Sequence, residues 1–326
     1  MRSVITVAVA VAATVSIAAA AETPKIGAAL YGLEHDYMQR WAAAIEDHPA
    51  VKAGNVDLTI FDGRYDENVQ TRQFRQMIAE GYDAILFVPY EETPGAELVA
   101  EAHAAGIPVV GSNTRANSDL LTAYIGSDDV EGGYLEAKSV LDKLGCAGNV
   151  VILEGPIGQS AQIERLEGNR KALAECPDAV VLAQAPANWS IAESQSVLSG
   201  WLSDHGSDIQ GVIGQNDEMA LGAIAAIEAA GLDVEAFAIA GIDGTTEGLE
   251  AVKRGEMSSL LQDARAQSQG ALDLALHALN PVYEPLSDIW TAYPEMPWNG
   301  GNDTTYTVPW TPVTEDNVEA LLAERM

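Results

Sequence analysis

The chain reads as an α/β protein with two doubly wound parallel-sheet lobes, and three observations carry that reading. From Lys25 onward, short apolar runs alternate with amphipathic segments bounded by Gly, Pro, Asn and Asp, the pattern of parallel strands and crossover helices. The alternation runs through two successive series, each long enough to build its own sheet. At 326 residues the chain has the length for two cores.

In the first series the apolar periods predict strands at 26–31, 56–61, 84–88 and 108–111, with a short fifth run at 124–127. Helices are expected at 37–47, 68–80, from Pro94 to a stop at Gly106, and at 129–144. The second series gives strands at 150–153, 180–183, 211–213 and 238–243, with helices at 161–174 and 191–203. Within it, Gly211 to Gly231 reads as strand, turn and helix. Asn216 is placed to cap the helix, and Met219, Leu221, Ala223, Ile224 and Ile227 form its inward face. Ala238 to Gly255 repeats the design, with Asp243 closing the apolar run. A last strand-like run at 258–262 and a helix at 266–279 follow. From Pro281 the chain turns rich in Pro, Gly and aromatics, ending in an amphipathic stretch at 315–323. Pattern alone divides the chain once, near Ser127.

The first 21 residues carry Arg2, an apolar run of Val, Ile and Ala, and small residues suited to an A-x-A cleavage site, which reads as an export signal. A formal net charge of −31 opposes binding to nucleic acid and to anionic lipid. Cys146 and Cys176 each precede an apolar run expected to form a strand, so both fall at one end of one sheet. In an oxidising compartment a disulfide is plausible, with two buried thiols as the alternative. No Walker phosphate loop, His-Glu-x-x-His zinc site or Gly-x-Ser-x-Gly elbow occurs in the sequence, and no metal cluster, cofactor site or enzyme is expected from it.

Polar residues at the carboxyl ends of parallel strands face the edge where open α/β sheets bind ligands. Asn216 and Asp243 stand there, although plain helix capping is the competing account of Asn216. The stretches QNDEMALGA and GIDGTTEGLEAVKRGE around them resemble the periplasmic sugar-binding proteins of the ribose-binding type, up to about Asn280. The resemblance implies a type I periplasmic binding protein in which the chain crosses a multi-strand hinge three times. It implies a first lobe of 22–126 plus 264–290, and a second lobe with tail of 127–263 plus 291–326.

It also implies a ligand set. Tyr37 in LYGLEHDYMQRW is the expected aromatic plate, with His35 beside it either as a contact or as an ordinary loop histidine. Asn113 in PVVGSNTRAN stands where the family has an acidic residue followed by arginine, a departure that argues against ribose itself. Arg165 falls on the family's sugar-binding arginine, with a helix salt bridge to Glu164, Glu167 or Asp142 as the bland alternative. Trp189 falls on a stacking aromatic, and Gln262 on a lobe crossing. The implied function is capture of a small neutral monosaccharide or sugar alcohol and its delivery, by a monomer that is not embedded in the membrane, to an inner-membrane ABC permease. The other class of reading is a periplasmic sensor module read by a chemoreceptor or kinase.

Overall fold

The structure, a computed structural model, describes residues 23–325, so the expected signal at 1–21 lies outside the described residues. The first lobe opens with β1 (Lys25–Leu30), α1 (Asp36–Glu46), the single turn α2 (Pro49–Lys52), β2 (Asp57–Asp62) and α3 (Glu67–Ala79). It continues through β3 (Ala84–Val88), α4 (Glu92–Ala104), β4 (Val109–Ser112) and β5 (Ala123–Gly126). The second lobe contains α5 (Asp129–Lys143), β6 (Ala147–Glu154), α6 (Ser160–Glu175), β7 (Asp178–Pro186) and α7 (Ile191–His205). It is extended by β8 (Gly211–Gly214), α8 (Asp217–Ala229), β9 (Ala238–Asp243), α9 (Thr246–Lys253) and β10 (Ser258–Leu261). The chain then runs through α10 (Ala264–Leu279), α11 (Ile289–Ala292), β11 (Thr305–Thr307), β12 (Thr311–Pro312) and α12 (Val318–Ala323).

Two six-stranded sheets result, in the orders β11-β5-β4-β3-β1-β2 and β12-β10-β9-β8-β6-β7. Every pairing is parallel except β10 with β12. The two-lobed parallel α/β architecture expected from the alternation is therefore the one observed. Central strands such as Ala84–Val88 are buried along their whole length, which explains why they read as continuous apolar runs.

The chain crosses between lobes at Gly126–Asp129, Leu261–Ala264 and Val308–Thr311. The third crossing is later than expected: residues 291–308 belong with the first lobe. Trp290, Met296, Tyr306 and Val308 are buried in the first-lobe core, and β11 extends its sheet beside β5. Trp290 is fixed there by its indole N–H, which donates to Asp273 Oδ2 at 2.8 Å.

A disulfide joins Cys146 and Cys176, whose Cα atoms are 4.9 Å apart at the start of the neighbouring strands β6 and β7. Among the described residues no helix is long and apolar enough to cross a membrane.

Candidate functional site

The carboxyl ends of the two sheets face each other across a narrow cavity, and all eight expected site residues line it. From the first lobe come His35 and Tyr37, around the start of α1, and Asn113, just beyond β4. Arg165 on α6, Trp189 after β7, Asn216 at the cap of α8 and Asp243 at the end of β9 come from the second. Gln262 enters from the second crossing.

Arg165 is not a surface helix residue. Its Nε donates to Asp129 Oδ1 at 2.8 Å and Nη1 to the Gln215 carbonyl at 2.6 Å, with the whole group buried. Burial pulls its pKa down, but Asp129 and Asp243 outweigh that and leave it above the ordinary value. The partner is on α5 because that helix and α6 touch through glycines. A Cβ on Gly133 would meet the Arg165 carbonyl at 2.1 Å, and one on Gly168 would meet that of Val130 at 2.1 Å. The guanidinium carbon lies 5.5 Å from the Trp189 ring centre and 5.8 Å from that of Trp310.

Asn216 does its capping work with Oδ1, which accepts from the Met219 N–H at 2.9 Å, and donates Nδ2 to Glu218. Capping and cavity lining coexist in one side chain. Tyr37 likewise spends its hydroxyl on Gln267 Oε1 at 2.7 Å, so it presents mainly its ring. Gln262 Oε1 accepts from Asn113 Nδ2 at 3.3 Å and from Arg165 Nη2 at 3.4 Å, which leaves its Nε2 buried without a partner.

Asp243 is less satisfied still. It is buried, its backbone is held at φ 121°, and among the described residues its carboxylate has no hydrogen-bond donor. Desolvation raises its pKa well above the ordinary value, against the pull of Arg165. Strain is concentrated at this cavity: Tyr65 at φ 54°, Asn113 at 59° and Trp189 at 61° also line it.

Tyr65 and Gln159 are cavity residues that the sequence reasoning missed. The Tyr65 hydroxyl and Gln159 Nε2 are buried without partners, although Gln159 Oε1 accepts from the Trp189 indole at 2.7 Å. Two of the aromatic walls, Tyr65 and Trp189, are seated on glycines. A Cβ on Gly32 would come within 2.2 Å of the Tyr65 ring, and one on Gly155 within 2.1 Å of Trp189. The available signal was position: Tyr65 follows β2 as Trp189 follows β7. Arg115 lies outside the cavity, over the Tyr124 ring at 3.8 Å and 3.7 Å from Glu164. Trp298 packs against His277 and Trp290 instead of the cleft.

What this arrangement defines is a cleft between two lobes, lined by polar and aromatic side chains from both. The chain belongs to the periplasmic binding protein family, whose domain model matches residues 26–281. Its place is therefore the periplasm, and its family binds solutes and is not enzymatic. A xylitol-binding protein of Mycolicibacterium smegmatis is 35% identical over 79% of this chain and 73% of the relative. The ribose import binding protein of Bacillus subtilis is 34% identical over 64% of this chain and 66% of its own length. An ABC transporter solute-binding protein from Bacillus halodurans, solved with bound myo-inositol, superposes with a TM-score of 0.81 at 29% identity. The superposition covers 93% of this chain and 98% of that one.

Proposed function

We propose that this protein captures a neutral monosaccharide or sugar alcohol between its lobes and delivers it to an ABC importer, after export through a cleavable signal at 1–21. The observation that carries the ligand class is that the Asp243 carboxyl, which has no hydrogen-bond donor among the described residues, lines the same cavity as the unpartnered Nε2 donors of Gln159 and Gln262. Hydroxyl groups donate and accept at once, so a polyol satisfies both sets, while the Tyr37, Tyr65 and Trp189 rings cover its C–H faces.

Charge points the same way. Arg165, the one cation among the described residues lining the cavity, is already paired with Asp129, and the cavity holds a further acidic group in Asp243. An anionic solute would bring a second negative charge into a buried site with no free cation to meet it. The names of the relatives agree with this reading, since xylitol and myo-inositol are both uncharged polyols.

A thermal-shift screen against pentoses, hexoses, sugar alcohols, cyclitols, sugar acids and sugar phosphates tests the proposal. Neutral compounds should raise Tm and alter tryptophan fluorescence as Trp189 is covered. Dominant shifts from the acids or phosphates would overturn it.

A further inference from the structure

Helix α1 begins without a side-chain cap of its own. Its N-cap residue, His35, is extended but makes no capping bond, so the first-turn amides need an acceptor from elsewhere. Glu218 provides one from the opposite lobe. Its Oε1 accepts from the Asp36 backbone N–H at 3.3 Å, while Oε2 accepts from Asn216 Nδ2 at 2.6 Å. Because Glu218 also lies in the first turn of α8, its carboxyl stands between the amino ends of two helices, where the partial positive charge of both converges. It is 7% exposed.

A second contact crosses the gap beside it. Arg40, one turn further along α1, donates Nη2 to Thr246 Oγ1 at 2.6 Å while Nε pairs with Asp36 at 2.6 Å. Asp36, Glu218 and Thr246 line a separate crevice and are not among the residues of the solute cavity. Asn216 lines that cavity and holds Glu218, so it links the two.

We infer that Glu218 is a cross-lobe cap that holds the closed form shut, acting in the absence of solute. Opening the cleft would separate the carboxyl from the amino end of α1 and leave that end to water. Closing would restore the cap, so the helix end itself favours closure. The inference rests on the two-lobe solute-binding reading for the motion and not for the identity of the solute.

The test uses full-length mature protein without added solute. Spin labels are placed through Asn68→Cys on α3 and Ser196→Cys on α7, both exposed positions in opposite lobes, and the inter-lobe distance distribution is measured. The ligand-free parent should populate a short-distance closed form. Glu218→Ala, and Glu218→Asp, which keeps the carboxyl group but loses reach, should lower the closed-to-open ratio by about three- to thirtyfold, the range expected for loss of an N-cap. Glu218→Gln keeps the reach and one acceptor oxygen, and should retain most of the closed population. Circular dichroism on each variant checks the fold. A ligand-free parent with no closed population, or a ratio unchanged in both Ala and Asp variants, would overturn the cap. Failure of neutral sugars to bind would leave these ratios untouched, so the two proposals fail separately.

Discussion

Arg165, which lines the solute cavity, forms an ion pair at 2.8 Å with Asp129, both side chains nearly sealed from solvent. The pair is as much a part of the fold as of the site. Removing either member strands the other in a buried position, a change that typically costs about 3 to 5 kcal/mol. Asp129→Asn should therefore lower stability on chemical denaturation while also weakening solute binding, because the guanidinium loses its anchor. Equal unfolding midpoints for Asp129→Asn and the parent would refute this.

Asp243 should behave in the opposite way. Its carboxylate is desolvated, strained at φ 121° and without a donor, so Asp243→Asn should leave the solute-free protein as stable as the parent or more so. Affinity for neutral polyols should fall by about ten- to a hundredfold, the loss of ~1.5 to 3 kcal/mol expected for a charged hydrogen bond. Calorimetry and thermal unfolding on one preparation would separate the two effects. Parallel losses of stability and affinity would count against a ligand role.

Stability should decline toward alkaline pH through Glu136. Burial raises its carboxyl from 4.5 to about 8, partly offset by the Asn169 amide and by Arg165. The native state therefore keeps a proton that the unfolded chain releases. Its contribution is complete below about pH 4, the ordinary carboxyl range, and is lost as pH rises through the folded value. Glu136→Gln should flatten the fall in Tm between about pH 5 and about pH 8.5. Superimposable pH profiles for variant and parent would refute the assignment.

The disulfide predicts a redox-dependent stability. Closing a loop with a sequence separation of 30 should contribute ~3 to 4 kcal/mol by the chain-entropy estimate. Reduction should lower the unfolding midpoint accordingly, and unreduced protein should show no free thiol on alkylation under denaturing conditions. Two labelled cysteines before reduction would contradict the bridge.

What could be read from the sequence, and what could not, follows from the range over which each signal acts. Central strands such as β3, β8 and β9 announced themselves because buried parallel strands are runs of apolar residues, as in AILFV at Ala84–Val88. Strand β11 is only Thr-Tyr-Thr with a single buried residue, so no run exists to detect. Its omission is why the third crossing was placed too early. Asn216 and Asp243 were legible because a polar residue stops an apolar run. Asp129 was not legible as the partner of Arg165, because Glu164, Glu167 and Asp142 were equally available carboxylates in the sequence, whereas glycine-mediated contact between α5 and α6 brings in a residue 36 positions away. Tyr65 sits in GRYDE at a positive φ, where no periodicity marks it.

The late third crossing bears on how this protein could be cut or joined to others. The family match ends at residue 281, and a clone trimmed there would look complete by homology. It would lack the segment that pairs with β5, and it would lose the Trp290, Tyr306 and Val308 side chains that fill the first-lobe core. Such a fragment would expose a hydrophobic socket beside an unpaired strand edge, which favours aggregation over a smaller working receptor. A fluorescent fusion intended to report lobe closure should therefore leave the segment through Arg325 intact, since Arg325 still donates Nη2 to the Gly244 carbonyl at 2.9 Å.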